Sequence, residues 1–143
     1  MPRAKLIQGS PDEIEAAYYD ALARADLEAL MMLWADDEEI VCIHPGAPRL
    51  VGHAAIRATW EEILARGGLH ILPRQLHASH TMTTAIHSVI EDIHHPDSTQ
   101  ADVHVIATNV YMKTAQGWRI VAHHASIAPG PAPSEPLAET MLH

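Results

Sequence analysis

Phenylalanine is absent from this chain, and aromatic residues make up only 4% of it, so Trp34, Trp60, Trp118, Tyr18, Tyr19 and Tyr111 stand out. Cysteine occurs once, at Cys42, which excludes an intramolecular disulfide framework and fits a reducing compartment. Positive charge is scarce: 9 lysines and arginines face 18 aspartates and glutamates, a net charge of −9. Binding nucleic acid or an anionic membrane needs a concentrated positive surface, so neither is an expected partner. No run approaches the roughly 18 apolar residues that cross a bilayer. The stretch Pro2-Arg3-Ala4-Lys5-Leu6-Ile7-Gln8-Gly9 has no apolar centre of the kind a secretory signal needs. The expected location is the cytoplasm.

What is present fits one domain. A chain of 143 residues, 48% of them hydrophobic, can bury about 70% of its unfolded surface without metal or disulfide staples. Histidine is abundant, with 12 residues, so net charge changes steeply near neutral pH. That abundance invites a metal reading, which the spacing does not support. His77 and His80, or the adjacent pairs His94-His95 and His123-His124, diverge on strands, and no Cys-x-x-Cys or His-Glu-x-x-His pattern occurs.

The pattern along the chain is helical first and strand-like later. Ser10-Pro11-Asp12-Glu13 is a capping box with proline at the first helical position. Ile14, Tyr18, Ala21, Leu22 and Ala25 then line one helical face. Asp26 caps an expected second helix over 27–34. Residues 40–44 read as a strand stopped by Pro45-Gly46, and a third helix follows over 53–66, ended by Gly67-Gly68. Strands are expected near 69–82, 84–94, 101–113 and 118–127, the first interrupted at Pro73 because proline cannot sit in a central strand. Turns fall at 95–98 and 114–117, and four prolines between Pro129 and Pro136 make an extended tail. The division is an arm over 1–9, a domain over 10–128 and a tail over 129–143. Three helices before a long antiparallel meander define an α+β class.

Trp34-Ala35-Asp36-Asp37, then Ile40 to His44-Pro45, then Val51-Gly52-His53-Ala54-Ala55-Ile56-Arg57 resemble the SnoaL-like and ketosteroid isomerase pattern of the nuclear transport factor 2-like superfamily. Gly117-Trp118-Arg119-Ile120-Val121-Ala122-His123-His124-Ala125-Ser126 resembles the association domain of calcium/calmodulin-dependent kinase II. The resemblance implies a cone, or cystatin-like roll, in which about three helices roof a curved antiparallel sheet around a blind cavity. It also implies a homodimer at least, closed through the outer sheet face, with Val121 or Ile120 on that surface according to register.

Carried onto these positions, the isomerase pattern puts a catalytic base at His44, a donor at Tyr18 and a second donor at or beside Asn109. Trp34, Trp60, Tyr111, His123 and Arg57 are candidate ligand-binding residues. Each has a plainer reading: His44 as a hydrogen-bonded rim residue, Tyr18, Trp34 and Trp60 as core, Arg57 as the partner of Asp36 or Asp37. Asn109 in an apolar strand needs several partners, of which a ligand is one source. A register without bulges turns His123 and Ala125 inward and His124 and Ser126 outward. Cys42, mid-strand among apolar residues, fits an inert buried thiol. A mixed site joining His44 and His123 is the one metal arrangement left open, and no metal or other cofactor is expected. Two functions follow. One is a small pocket enzyme, an isomerase, dehydratase or cyclase acting on a small apolar or carbonyl-type ligand with His44 as base. The other is a non-catalytic oligomerisation or ligand-binding module resembling the kinase association domain.

Overall fold

The structure, a computed structural model, describes residues 9–94 and 103–128. The expected turn at 95–98, the N-terminal arm up to residue 8 and the tail from residue 129 lie outside the described residues. Three helices, α1 (Pro11–Ala23), α2 (Leu27–Met31) and α3 (His53–Leu64), accompany six strands: β1 (Val41–Ile43), β2 (Leu50–Val51), β3 (His70–His80), β4 (Thr84–His94), β5 (Val103–Thr114) and β6 (Gly117–Ile127). The strands form one curved, incompletely closed sheet in the order β2-β1-β6-β5-β4-β3. Every pairing is antiparallel except β1 against β6, which is parallel.

The capping box at Ser10 is formed in both directions. The Ser10 amide donates to Glu13 Oε1 at 3.1 Å and the Glu13 amide donates to Ser10 Oγ at 3.2 Å, a cap worth about 1 kcal/mol. The Ala29 amide donates to Asp26 Oδ1 at 3.0 Å and so starts α2. That helix is shorter than its composition predicts. The Leu33 carbonyl accepts from the Ile120 amide at 2.8 Å, and the Ala35 amide donates to the Ile120 carbonyl at 2.9 Å. The backbone around Trp34 therefore joins β6 instead of continuing the helix.

Gly67 has φ +113 and its amide donates to the Leu64 carbonyl, closing α3 in the left-handed region. At Gly68 a Cβ would stand 2.0 Å from the Ala23 carbonyl oxygen, so only glycine lets the chain pass the end of α1 and enter β3. Pro73 does not interrupt β3. The strand lies at the sheet edge, where a missing donor is tolerated. The irregularity comes just after it, between Arg74 and His77, with Gln75 at φ +52.

The inner face of the sheet carries the core against the three helices, with Ile14, Tyr18, Leu22, Leu30, Trp34, Ile56, Trp60, Tyr111 and Ile120 all buried. A register shift between β5 and β6 sets which residues face inward. Asn109 pairs with His123 and Val110 with Ala122, but Tyr111 pairs with Ile120, so Val121 is the extra residue of a bulge. Both Ile120 and His123 therefore face the helices. Of the two residues expected on the outer face, Ile120 is excluded because it is buried, and Val121, at the bulge, is half-buried. His124 and Ser126 are exposed.

Candidate functional site

Helix α1 delivers Glu15, Tyr18, Tyr19 and Leu22 at spacings of three and four, so all four point at the sheet. Period-two alternation delivers the facing residues: His87, Val89 and Glu91 from β4, Val105, Asn109 and Tyr111 from β5, His123 and Ala125 from β6. Between the two layers lies a cavity of about 160 Å³ whose wall includes Tyr18, His44, Trp60, Glu91 and His123, with Ile63, Leu69 and Ile93 supplying apolar surface. A larger open groove of about 670 Å³ along residues 62–70 shares Ile63 and Leu69 with it. The groove's polar residues Glu62, Arg66 and His70 are exposed, so the buried chemistry belongs to the smaller cavity.

A chain of buried hydrogen bonds underlies the cavity. Tyr19 donates its hydroxyl proton to Glu91 Oε2 at 2.6 Å and accepts from Asn109 Nδ2 at 3.3 Å. The same Asn109 nitrogen donates to Glu15 Oε2 at 3.0 Å, and the Tyr111 hydroxyl donates to that oxygen at 2.7 Å. His87 Nδ1 lies 3.0 Å from it as well, near enough to pair when protonated but out of line for a hydrogen bond. His87 Nε2 is 3.7 Å from Asp12 at the surface. On the other side, Asn109 Oδ1 is 2.6 Å from His123 Nδ1. Because the amide nitrogen faces the Glu15 carboxylate, Oδ1 must be the acceptor, and His123 carries its proton on Nδ1.

Burial sets the charge states. His123 is driven down to about 3, first by desolvation and then by His44 and His124, so its imidazole is neutral near pH 7. His44 is also held below the ordinary histidine value by burial. Glu91 moves the other way, up to about 7: desolvation and the Glu15 charge raise it, and the Tyr19 hydrogen bond only partly offsets them. Burial pushes the Cys42 thiol up to about 12, so it stays protonated. Cys42 Sγ stands 3.6 Å from His44 Nε2, and the Trp60 ring meets the His44 ring edge-to-face at 4.7 Å. These two contacts orient the imidazole. The Tyr18 hydroxyl and Trp60 Nε1 are buried without a hydrogen-bond partner. A buried polar group left this way costs about 1–3 kcal/mol.

The structure brings His44, Tyr18, Trp60 and His123 to one cavity and leaves the other sequence-identified residues outside it. Asn109 does not line the cavity. Its amide is occupied on both ends by Glu15, Tyr19 and His123, so reaching a ligand would break the network. Tyr111 is fully buried behind Asn109, bound to Glu15. Trp34 is core, held by its bridge to Ile120. Arg57 pairs at the surface with Glu28, not with Asp36 or Asp37. Among the described residues no group of three or more His, Cys, Asp or Glu side chains converges to hold a metal, and no helix is long and apolar enough to cross a membrane.

Glu91, Glu15 and His87 escaped the sequence reading. Each is polar on a face that otherwise carries apolar residues: Ala85, Val89 and Ile93 share the inward set of β4. The signal was present but two-sided, since Ile86 and Ile90 place isoleucine on the opposite set as well.

Residues 12–130 match the SnoaL-like domain family. A candidate calcium/calmodulin-dependent protein kinase type II association domain from Thiobacillus denitrificans is 35% identical, with a TM-score of 0.81 over 86% of this chain and 98% of its own. A candidate dehydratase of the NTF2-like family from Streptomyces avermitilis is 30% identical, with a TM-score of 0.75 over 83% of this chain and 94% of its own. An NTF2-like protein of unknown function from Pseudomonas putida, 20% identical, shares the fold with a TM-score of 0.72 over 92% of this chain and 89% of its own. No curated protein sequence matches at a significant level. With the curved sheet, the helices packed on it and the cavity between them in place, the chain belongs to the SnoaL-like domain family of the NTF2-like superfamily.

Proposed function

We propose that the cavity binds a small, largely apolar molecule and moves a proton on it without a cofactor, as in an isomerisation or dehydration, with His44 as the base and Tyr18 as the donor. The observation that carries this reading is the Tyr18 hydroxyl, buried on the cavity wall with no partner in the protein. A ligand oxygen would relieve that cost. Trp60 Nε1 supports it as a second unpartnered donor on the same wall. His44 suits the base because burial keeps its imidazole neutral. The match to a candidate dehydratase from Streptomyces avermitilis at 30% identity points the same way.

The test needs no natural substrate. Cyclohexanone in deuterated buffer exchanges its α-hydrogens slowly, and proton NMR follows the loss. The protein should accelerate exchange, and His44→Ala should reduce the acceleration by about a hundredfold or more, the scale of general-base catalysis, with little change in melting temperature. Parallel loss of exchange and fold would assign His44 a structural role.

A second reading has its own observation. Ile86, Ile106, Met112 and Leu72, on the face of the sheet away from the helices, are exposed large apolar residues. Exposed apolar side chains on one sheet face make it a candidate interface, and we propose a homodimer closed across it. The resemblance to a candidate kinase association domain supports an assembly role of this sort.

A further inference from the structure

The cavity wall carries one acidic side chain and, among the described residues, no lysine or arginine. Glu91 is 4% exposed, and among the described residues its side chain has one hydrogen-bond partner, Tyr19, at Oε2. Another carboxylate, Glu15, repels it. Such a buried acid is costly without a counter-charge, and among the described residues none lines the cavity. The remaining polar wall is aromatic or neutral. The Tyr18 and Trp60 rings lie 6.2 Å apart at 81°, and aromatic faces attract a cation. His44 and His123 are neutral near pH 7.

We propose that the ligand of this cavity carries a small organic cation, an amine or ammonium group that pairs with the Glu91 carboxylate. The proposal rests on the reading of the cavity as a small-molecule site and narrows its ligand class. A carboxylate ligand would meet Glu91 with no fixed positive charge to hold it. A neutral ligand would leave Glu91 either protonated or unpaired. An ammonium group supplies the missing counter-charge and forms a charge-assisted hydrogen bond. The cavity volume of about 160 Å³ suits a ligand about the size of a small benzene derivative, and the overall charge of −9 favours the approach of a cation.

Pairing requires ionised Glu91, so binding is linked to pH. The titratable groups facing Glu91 are Glu15, Tyr18 and Tyr19 from α1, Cys42 from β1, His44 beyond it, and His123 from β6. Its register neighbours Pro73 and Val105 carry no charge. Of these groups Glu15 acts on Glu91 with a like charge, and its sign reinforces the preference for a cation. Glu91 itself titrates at about 7, so amine affinity should rise from about pH 6 to about pH 8 and then level off.

The experiment is calorimetric titration of the full chain with three probes of one shape: benzylamine, benzyl alcohol and benzoate. At about pH 8 benzylamine should bind at least about tenfold more tightly than benzyl alcohol, and benzoate should not bind. Benzylamine should weaken about tenfold at pH 6, and Glu91→Gln should erase its advantage over benzyl alcohol. Benzyl alcohol binding as well as benzylamine, or benzylamine unaffected by Glu91→Gln, would overturn the cation assignment and leave the pocket standing. Failure of all three probes would overturn the small-molecule reading as well. Should the variant fail to fold, the wild-type pH series decides alone: a flat benzylamine affinity overturns the proposal.

Discussion

Replacing Glu91 with glutamine keeps the shape and the oxygen that accepts from Tyr19, and removes only the titrating proton. The consequence for stability follows from the sign of the shift. Glu91 titrates at about 7 in the fold against 4.5 without it. Between those values the folded state holds a proton that the unfolded chain has already released, so wild-type stability falls as pH rises. This is the reverse of a salt-bridged carboxylate. At about 1.36 kcal/mol per pH unit, the fold carries a penalty of about 3 kcal/mol once Glu91 is fully ionised. Urea denaturation of both proteins from about pH 5 to pH 8 should show Glu91→Gln gaining on wild type, by about 2–3 kcal/mol across that range. His123 titrates in the opposite sense: held down to about 3, it costs stability as pH falls below the unfolded histidine value, but it does so in both proteins and cancels in the difference. A flat difference across the range, or a glutamine variant less stable at pH 8 than at pH 5 relative to wild type, would refute the assignment of an uncompensated buried acid.

Two further outcomes separate the site from its scaffold. Tyr18→Phe deletes a buried hydroxyl that has no partner, so the melting temperature should hold or rise, with a gain of up to about 1–3 kcal/mol, the cost of the unpaired group, while cyclohexanone exchange drops; a large loss of stability would mean the hydroxyl is satisfied. Ile106→Lys places a charge at the middle of the apolar outer face, where Ile106 is 43% exposed; it should convert a dimer to a monomer in sedimentation without unfolding it, and an unchanged sedimentation coefficient would remove that face as the interface.

Local signals carried much of the architecture. Ser10 to Glu13 states a helix start outright because every capping partner lies within three residues. Gly67-Gly68 ends α3 for a reason equally local. The pairing of Leu33 and Ala35 with Ile120, which cuts α2 short, joins residues more than eighty positions apart, and no nearby residue announces it. The bulge at Val121 is likewise invisible to period-two counting, although it leaves His123 on the side that simple alternation assigns. His44, Tyr18, Trp60 and His123 were legible as pocket residues through the resemblance to known sequences. Asn109 was legible as a buried amide in need of partners, but those partners, Glu15 and Tyr19, come from a helix about ninety residues away. Glu91 was hidden because both faces of β4 carry isoleucine or valine, so alternation alone could not say which one meets the helices.

The most direct test of the central claim, that His44, Tyr18 and Glu91 wall a ligand site, is a crystal structure of the protein purified gently from cells, or soaked with benzylamine if nothing is retained. Density in the cavity with a polar atom within hydrogen-bond distance of the Tyr18 hydroxyl is the expected result. A cavity closed by Trp60, Ile63 or Leu69, with the Tyr18 hydroxyl paired to a protein group and no room for a ligand, would contradict it.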